Sequence, residues 1–357
     1  MRIVSVVGAR PQFVKLAPVA EAMTERAEHL TVHTGQHYDD RMSDAFFRDL
    51  RIPRPALNLD IGSGRHGEQT GAMLAALERA FEELNPDVVL VYGDTNSTLA
   101  AAVAAVKMHI PLAHLEAGLR SFNRRMPEEH NRVLTDHASD LLLAPSEVAM
   151  RHLAAEGLEE RSRLVGDVMT DVLYRTRDEV AASTTTLPGG VTAGNYHVAT
   201  IHRPDNTDDP LRLRGIISAL ASLDSPVLLP AHPRLRAAAQ RHGVDLERGA
   251  IRVLEPLSYH DLVRAVIHSK GVVTDSGGLQ KESFLLRVPC TTIRPESEWE
   301  ETVALGWNVL ENDDFPLIAV AASRPRPADT DAQPYGDGRA AHRVVDEILA
   351  FFTSGSR

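Results

Sequence analysis

Short apolar runs alternate along the whole chain with longer segments whose apolar residues recur at helical spacing. Continuous runs rich in Val, Ile and Leu are typical of strands that are buried on both faces of a parallel sheet. Most of these runs end in a glycine or a polar turn, and a helical segment follows. The predicted strands lie at residues 3–7, 30–34, 57–61, 88–92, 112–115, 140–144, 198–201, 227–229, 251–254 and 272–274.

The same alternation of strand, polar turn and helix in both halves predicts the α/β class, with two doubly wound, mostly parallel sheets and a cleft between them. A length of 357 residues also favours two domains. The composition changes at residues 184–195, TTTLPGGVTAGN, and we interpret this change as the boundary region. We assign residues 1–170 to an N-terminal domain and 171–338 to a C-terminal domain. A final amphipathic helix at 339–352 is expected to cross back onto the first domain.

Three acidic positions fall at the ends of predicted elements in the first domain. Asp94 follows one predicted strand, Glu116 ends another, and Glu128 or Glu129 comes just after Pro127. Ligands collect outside the carboxyl ends of parallel strands, so these positions favour chemistry. Asp94 has the structural alternative of a helix N-cap, and the pair after Pro127 has that of first-turn acids favoured by the helix dipole. Glu116 is harder to explain structurally, because an isolated buried carboxylate is strongly disfavoured.

Glycine turns precede two predicted helices and suit an anionic ligand. Gly8 opens the first turn, and Arg10 and Lys15 add positive charge beside it. The second turn is the Asp-Ser-Gly-Gly sequence at 275–278, and Glu282 lies one turn later, where it can accept hydrogen bonds from ribose hydroxyls. Helix N-termini of this kind present free N–H groups to a diphosphate. The structural alternatives are solvated basic side chains and an ordinary turn.

Histidines occur in two patterns with different meanings. His202 and His232 each end a predicted strand of the second half, which favours a functional role over a structural one. His29, His33 and His37 are spaced by four residues, but they belong to a predicted strand, where that spacing does not bring the rings together. We therefore predict no metal site.

The composition of the chain argues against several classes of function. The net charge of -11, without a basic run, argues against nucleic-acid binding. One cysteine, Cys290, excludes an intramolecular disulfide and fits a reducing cytosol, and no stretch is long and apolar enough to span a bilayer or to act as a signal peptide. We expect a cytoplasmic protein that does not associate with membranes. Residues 62–67 match G-x-G-x-x-G, but not in the first strand–helix turn, so we expect a loop there and no nucleotide cofactor.

Taken together in chain order, the motifs resemble the non-hydrolysing UDP-N-acetylglucosamine 2-epimerases. The resemblance extends over nearly the whole chain, and the joint match is highly specific. The motifs are Gly8-Ala9-Arg10-Pro11 with Lys15, Gly93-Asp94-Thr95, His114 to Arg120 (HLEAGLR), Pro127-Glu128-Glu129-x-Asn131-Arg132, His202-Arg203, Thr274-Asp275-Ser276-Gly277-Gly278 and Pro334 to Gly338 (PYGDG).

The resemblance implies a GT-B fold of two Rossmann-like domains, usually as a homodimer, that inverts carbon 2 of a UDP-sugar without a cofactor. In this family, UDP is eliminated to give 2-acetamidoglucal and is then added back. Such chemistry needs an acid and a base around one sugar, and departure of UDP needs charge stabilisation. The implied catalytic residues are Asp94, Glu116, Glu128, His202 and Lys15. The implied substrate-binding residues are Arg10, Arg132, Leu262, Ser276, Gly277, Gly278 and Glu282.

Three segments depart from the family pattern. Residues 202–205 read HRPD where many bacterial members carry HRRE, and Gln36 with Asp39 replaces a Gln-x-x-Gln pair. These positions resemble the family's allosteric site, so we predict hyperbolic kinetics without activation by a second substrate molecule. Residues 294–302, RPESEWEET, are more similar to relatives that act on UDP-2,3-diacetamido-glucuronic acid, so the substituents at carbons 3 and 6 stay open.

Other classes of function share parts of this pattern. A GT-B glycosyltransferase would have the same fold and UDP site, but three carboxylates near the reacting sugar argue against it. A hydrolysing epimerase would release free N-acetylmannosamine, and a silent UDP-sugar-binding regulator would not depend on Asp94. We rank the reversible epimerase above these alternatives.

Overall fold

A computed structural model of the chain describes residues 1–36 and 52–353. The chain divides into two compact units. One contains Met1–Val172 together with the C-terminal segment that begins at Gln333, and the other is Leu173–Ala332.

Each unit is built on one parallel sheet. The first sheet has seven strands in the order β3-β2-β1-β4-β5-β6-β7, and the second has six in the order β10-β9-β8-β11-β12-β13. All strand pairs are parallel. The strands are β1 Arg2–Val7, β2 Glu28–His33, β3 Leu57–Asn58, β4 Val88–Tyr92, β5 Leu112–Leu115, β6 Leu141–Ala144, β7 Ser162–Leu164, β8 His197–Thr200, β9 Val227–Pro230, β10 Ile251–Leu254, β11 Gly271–Thr274, β12 Cys290–Thr292 and β13 Asn308–Leu310.

Helices follow the strands and cover both faces of each sheet, as parallel sheets require. The helices are α1 Arg10–Met23, α2 His66–Leu84, α3 Asn96–Lys107, α4 Pro127–Ala138, α5 Glu147–Ala155, α6 Val168–Ala181, α7 Pro204–Thr207, α8 Pro210–Ala221, α9 Pro233–His242, α10 Tyr259–Ile267, α11 Gly277–Leu285, α12 Glu300–Ala304, α13 Phe315–Ala322 and α14 Ala340–Thr353. None of these helices is long and apolar enough to cross a membrane.

The core of the first unit has two layers, one on each face of the sheet. On one face, Leu16 of α1 packs in a single cluster with Val344 and Ile348 of α14, so the last helix of the chain completes this unit. On the other face, Met73 and Leu77 of α2 pack against the alanine-rich α3. Small residues on α3 allow this helix to lie close to the sheet.

The predicted α/β class with two Rossmann-like domains is confirmed. The sequence pattern did not predict β7, β12 and β13, because each has only three residues. The stretch 184–195, interpreted as the boundary region, lies inside the second unit. A Cβ at Gly189 would lie 2.7 Å from a methyl group of Leu228, so this loop packs tightly on the second sheet. The division between the units falls within α6.

Candidate active site

The strand order of the first sheet reverses between β1 and β4, and a crevice opens at such a switch point outside the carboxyl ends of the strands. Gly8 follows β1, Asp94 follows β4, and Glu116 follows the neighbouring strand β5. Arg10 is the first residue of α1. Both acids predicted at strand ends therefore lie at this edge of the sheet.

Lys15 and Glu116 form an ion pair in this crevice. The distance from Nζ to Oε2 is 2.6 Å, and the two side chains are 12% and 13% exposed. Burial alone would lower the pKa of Lys15, but the charge of Glu116 and its hydrogen bond outweigh burial, so the pKa is raised. The lysine therefore remains charged and fixes the carboxylate of Glu116.

The backbone around this pair is unusual. Glu116 has a φ of 73°, in the left-handed region that side chains other than glycine rarely adopt, and Gly93 has a φ of 61°. A Cβ at Gly93 would lie 3.3 Å from Nζ of Lys15 and 3.7 Å from Oε1 of Glu116. Glycine at position 93 thus leaves the space that the ion pair occupies. A strained non-glycine residue of this kind is typical of functional sites.

A second cation fixes Asp94. Arg132 of α4 forms an ion pair with the Asp94 carboxylate through Nη2 and with Glu129 through Nη1 at 3.0 Å. Asn131 donates a hydrogen bond from Nδ2 to the backbone carbonyl of Asp94 at 2.9 Å. The start of α4 therefore holds the turn after β4. The Asp94 side chain is still 28% exposed, so it is accessible from the crevice.

The structure separates the two glutamates after Pro127. Glu129 is 5% exposed and accepts hydrogen bonds from the backbone N–H groups of Ser121 and Phe122, at 2.9 Å each. It therefore ties down the loop before α4. Glu128 is exposed, and no described residue forms an ion pair with it. Of the two, Glu128 is the carboxylate left available for a ligand.

A buried charge network that the sequence did not reveal lies beneath these acids. His114 approaches Asp136 Oδ1 through Nδ1 and the Gly93 carbonyl through Nε2, at 2.7 Å each. Asp136 also binds Arg120 at 2.7 Å and the N–H of Gly118 at 3.1 Å. Burial alone would raise the pKa of Asp136, but the hydrogen bonds and charges of His114 and Arg120 lower it.

The ring of His114 is fully buried and has an oxygen partner at each nitrogen. A carbonyl oxygen only accepts hydrogen bonds, so Nε2 donates to Gly93. The ring holds the backbone on one side of Asp94, while Asp136 holds the turn after Glu116 through Gly118.

Gln12 is another residue that the sequence analysis missed. Its Oε1 accepts hydrogen bonds from the N–H groups of Gly8 and Ala9, at 2.8 and 3.0 Å. Its Nε2 donates to the carbonyl of Tyr92 at 2.8 Å and thereby joins the turn after β1 to the end of β4. A side chain that reaches back to the residues just before the helix is a capping signal, and the position of Gln12 at the third residue of α1 fits that pattern.

The predicted allosteric pair is only partly within the described residues. Gln36 accepts hydrogen bonds from the N–H and the hydroxyl of Ser97, at 3.0 and 2.7 Å. Its amide oxygen is therefore bound to the start of α3. Asp39 lies outside the described residues, as does His37 of the histidine series.

The second sheet has its own switch point between β8 and β11. Asp275 lies there and is fully buried. Its carboxylate accepts hydrogen bonds from the backbone N–H groups of His202 and Arg203 at 2.9 Å each, and from Asn206 Nδ2 at 3.1 Å. The ring of His202 adds a contact from Nδ1 at 3.0 Å. Burial would raise the pKa of Asp275, but the hydrogen bond and charge of His202 and the other donors lower it.

The two histidines at strand ends lie together. The ring centroids of His202 and His232 are 5.8 Å apart. His232 accepts a hydrogen bond from the N–H of Arg234 at its Nδ1 and caps α9. Burial, His202 and Arg234 all lower the pKa of His232, so its ring is neutral near pH 7. His202 thus lies at the second switch point, on a turn that Asp275 holds in place.

Helix α11 begins at this switch point with the Ser-Gly-Gly sequence. Ser276 is the N-cap and accepts a hydrogen bond from Leu279 N–H. A Cβ at Gly277 would lie 2.6 Å from Oε1 of Glu298, whereas a Cβ at Gly278 would meet open space. The backbone at Gly278 is therefore open to a ligand, and the helix start supplies N–H groups and partial positive charge.

The two remaining predicted ligand residues lie on nearby elements of the same unit. Glu282 of α11 is 9% exposed and accepts a hydrogen bond from the Tyr259 hydroxyl at 2.9 Å. Leu262 lies in α10, and its N–H donates to the Ser258 carbonyl at 2.9 Å. Within the described ranges, no group of three or more His, Cys, Asp or Glu side chains has the arrangement of a metal site.

The family assignment follows from the whole chain. Residues 21–349 match the family described as UDP-N-acetylglucosamine 2-epimerase. The chain belongs to the UDP-N-acetylglucosamine 2-epimerase family. The resemblance drawn from the motifs is thereby confirmed, and membership supports the activity of a UDP-sugar 2-epimerase.

Relatives in this family differ in the sugar they are named for. The chain is 44% identical to a UDP-2,3-diacetamido-2,3-dideoxy-D-glucuronate 2-epimerase of Pseudomonas aeruginosa, over 98% of this chain and 99% of that one. It is 37% identical to a UDP-N-acetylglucosamine 2-epimerase of Methanocaldococcus jannaschii, over 98% and 99%. The crystal structure of the Methanocaldococcus enzyme in complex with UDP-GlcNAc and UDP aligns with a TM-score of 0.84 and 35% identity over 98% of this chain and 100% of that chain.

Proposed function

We propose that the chain catalyses the reversible conversion of UDP-N-acetylglucosamine to UDP-N-acetylmannosamine by anti elimination of UDP, a 2-acetamidoglucal intermediate and re-addition of UDP. The observation that carries this proposal is the pair of cation-held carboxylates at one switch point, Glu116 with Lys15 and Asp94 with Arg132. Positioned groups of this type typically accelerate proton transfer about 100- to 10,000-fold each.

In the first step, a carboxylate takes the proton from carbon 2, and the electrons of that bond form the double bond to carbon 1. The bond from carbon 1 to the UDP oxygen breaks, and UDP leaves with the bonding electron pair. In the second step, a proton is returned to carbon 2 on the opposite face, and UDP attacks carbon 1. Asp94, Glu116 and Glu128 are the candidate acids and bases.

The leaving UDP requires cationic and N–H groups that act without water. We assign this role to His202, Arg10 and Arg132, and to the start of α11 at Ser276, Gly277 and Gly278. The free backbone at Gly278 and the fixed turn at His202 support this assignment. Glu282 is assigned to the ribose, and the backbone of Leu262 to the uracil.

A second candidate substrate is UDP-2,3-diacetamido-glucuronic acid. It is favoured by the relative at 44% identity and by the segment at 294–302. In that segment, Trp299 makes a cation–π contact with Lys281 of α11, whose Nζ lies 4.1 Å from the ring centroid. Arg294 forms an ion pair with Glu298 at 2.8 Å. These contacts lie beside the glycine turn of α11, and we propose that they affect substrate choice.

The test is proton NMR of the purified protein with each UDP-sugar in deuterium oxide. A UDP-manno product with deuterium at carbon 2, and recovered substrate with the same label, is the result expected for the true substrate. Free N-acetylmannosamine would instead identify a hydrolysing enzyme. Absence of exchange with both sugars would reject the proposal.

A matched pair of variants links the result to the site. Glu128→Gln should slow deuterium exchange without lowering the melting temperature, because no described residue forms an ion pair with Glu128. Glu129→Gln should lower the melting temperature, because it removes the acceptor for the N–H groups of Ser121 and Phe122. The reverse pattern would contradict the assignment of Glu128.

A further inference from the structure

The second unit contains a cavity at the edge of its sheet opposite to Asp275. Its volume is about 420 Å³, within the range of small-molecule sites. Lys270 lines it just before β11, and Pro289 lines it just before β12. His197, the first residue of β8, lies in its wall. The cavity is therefore at the amino-terminal ends of the strands, whereas the candidate nucleotide site is at their carboxyl ends.

Basic side chains dominate the polar lining of this cavity. Lys270, Arg287, Arg324 and Arg326 line it, and Asp224 is its one acidic lining residue. Arg326 is paired with Asp329 at 3.0 Å. No acidic side chain in the described part of the chain forms an ion pair with the other three cations. A local excess of positive charge is unexpected in a protein with a net charge of -11.

Neutral groups hold the two inner arginines in place. Arg324 donates to the carbonyls of Cys290 and Trp307, at 2.8 and 2.9 Å, and Arg287 donates to the carbonyl of Ala332 at 3.1 Å. Carbonyl oxygens orient a guanidinium without neutralising its charge. The Nε of Arg324 is buried and has no acceptor among residues 1–36 and 52–353.

Burial has an electrostatic effect on this arrangement. It lowers the pKa of Arg324, with no carboxylate among the opposing influences. A bound anion would remove this cost, and guanidinium groups match the geometry of phosphate oxygens. Since three cations lack an acidic partner and one acid lines the cavity, a ligand with at least two negative charges fits best.

We infer that this cavity binds the phosphate or diphosphate group of a small metabolite, at a site separate from the nucleotide-sugar crevice. Lys270 and Arg326 are exposed and would contact the ligand at the mouth, while Arg287 is half-buried and would contact it further in. Arg324 would add its positive charge without a direct hydrogen bond, because both of its Nη atoms already donate within the chain. The inference does not depend on which sugar the enzyme epimerises.

The experiment measures binding of pyrophosphate to the full chain at saturating UDP, by calorimetry and by the shift in melting temperature at constant ionic strength. The saturating UDP fills the proposed diphosphate site at the carboxyl ends of the strands, so pyrophosphate cannot bind there. The test variant is the double substitution Lys270→Gln with Arg326→Gln. Its matched control is Lys107→Gln with Arg241→Gln, which removes the same charge from exposed positions outside the cavity.

We expect pyrophosphate to raise the melting temperature of the wild-type and control proteins, and its affinity to fall at least about tenfold in the test variant. Equal affinity in the two double variants, or no binding to the wild-type protein, would overturn the inference. Tighter binding of citrate than of pyrophosphate would also overturn it, because the site would then select carboxylates. If UDP itself failed to bind, the proposed function would be weakened. The comparison of pyrophosphate affinity in the two double variants would still show whether the cavity binds a diphosphate.

Discussion

The two switch points share a topology but differ in how they hold a carboxylate. At the first, Glu116 and Asp94 are each held by a single cationic side chain and remain partly exposed. At the second, Asp275 is fully buried and is held by two backbone N–H groups and the His202 ring. The same strand order thus presents carboxylates to a ligand in one unit and hides the carboxylate in the other.

This difference indicates that the carboxylates at the two switch points have different roles. A carboxylate that contacts one cation and the crevice can gain and lose a proton during a reaction. A buried carboxylate with several donors stays ionised and instead fixes the turn that carries His202. We therefore expect substitutions of Asp94 and Glu116 to affect proton transfer, and substitutions around Asp275 to affect UDP affinity and stability.

Replacement of Glu116 should have the largest effect. Glu116→Gln keeps the size of the side chain but removes the proton acceptor, so turnover should fall by about 100- to 10,000-fold. Affinity for UDP should change less than about threefold, because Glu116 is not among the groups assigned to UDP. Deuterium exchange at carbon 2 and UDP calorimetry measure the two quantities. A parallel loss of both would show that the crevices do not act separately.

Replacement of Asp275 should have an intermediate effect of a different kind. Asp275→Asn removes charged hydrogen bonds in a buried site and should cost about 2–3 kcal/mol of stability, together with UDP affinity. The folded pKa of Asp275 is lowered from 3.8, so its contribution is fully present above that value and is lost as the pH falls through the folded pKa. The stability difference between wild type and variant should therefore be full at pH 7 and shrink below about pH 3.8. A difference that stays constant with pH would contradict this account, and urea unfolding at several pH values measures it.

Local sequence predicted the positions of Asp94 and Glu116 because each directly follows an apolar run, and the end of a parallel strand defines its place in the fold. It could not distinguish Glu128 from Glu129. Their roles depend on which one faces the loop at Ser121, and that depends on how α4 packs. Neighbouring residues with the same side chain carry no local signal for such a difference.

The supporting network was not predictable for a related reason. Asp136 contacts His114 and Arg120, which are 22 and 16 residues away in the sequence, so their proximity arises only when α4 packs against β5. Gln12 is different, because its distance from Gly8 in the sequence is a local capping signal. Long-range ion pairs can be identified only from the folded structure, whereas helix caps can be identified from the local sequence.

The smallest expected effects come from substitution of the two glycines at the start of α11. Gly278→Ala adds a methyl group into open space and should leave stability unchanged or raise it by up to about 1 kcal/mol, since alanine favours helix. It should nevertheless weaken UDP binding, because that space is where the diphosphate is proposed to lie.

Gly277→Ala should instead lower stability, since the new Cβ would lie 2.6 Å from Glu298 unless that side chain moves away from Arg294. Thermal unfolding and UDP calorimetry on both variants separate the two effects. If Gly278→Ala bound UDP as tightly as the wild type, the start of α11 would not be the diphosphate site, and UDP would have to be bound by His202, Arg10 and Arg132 without it.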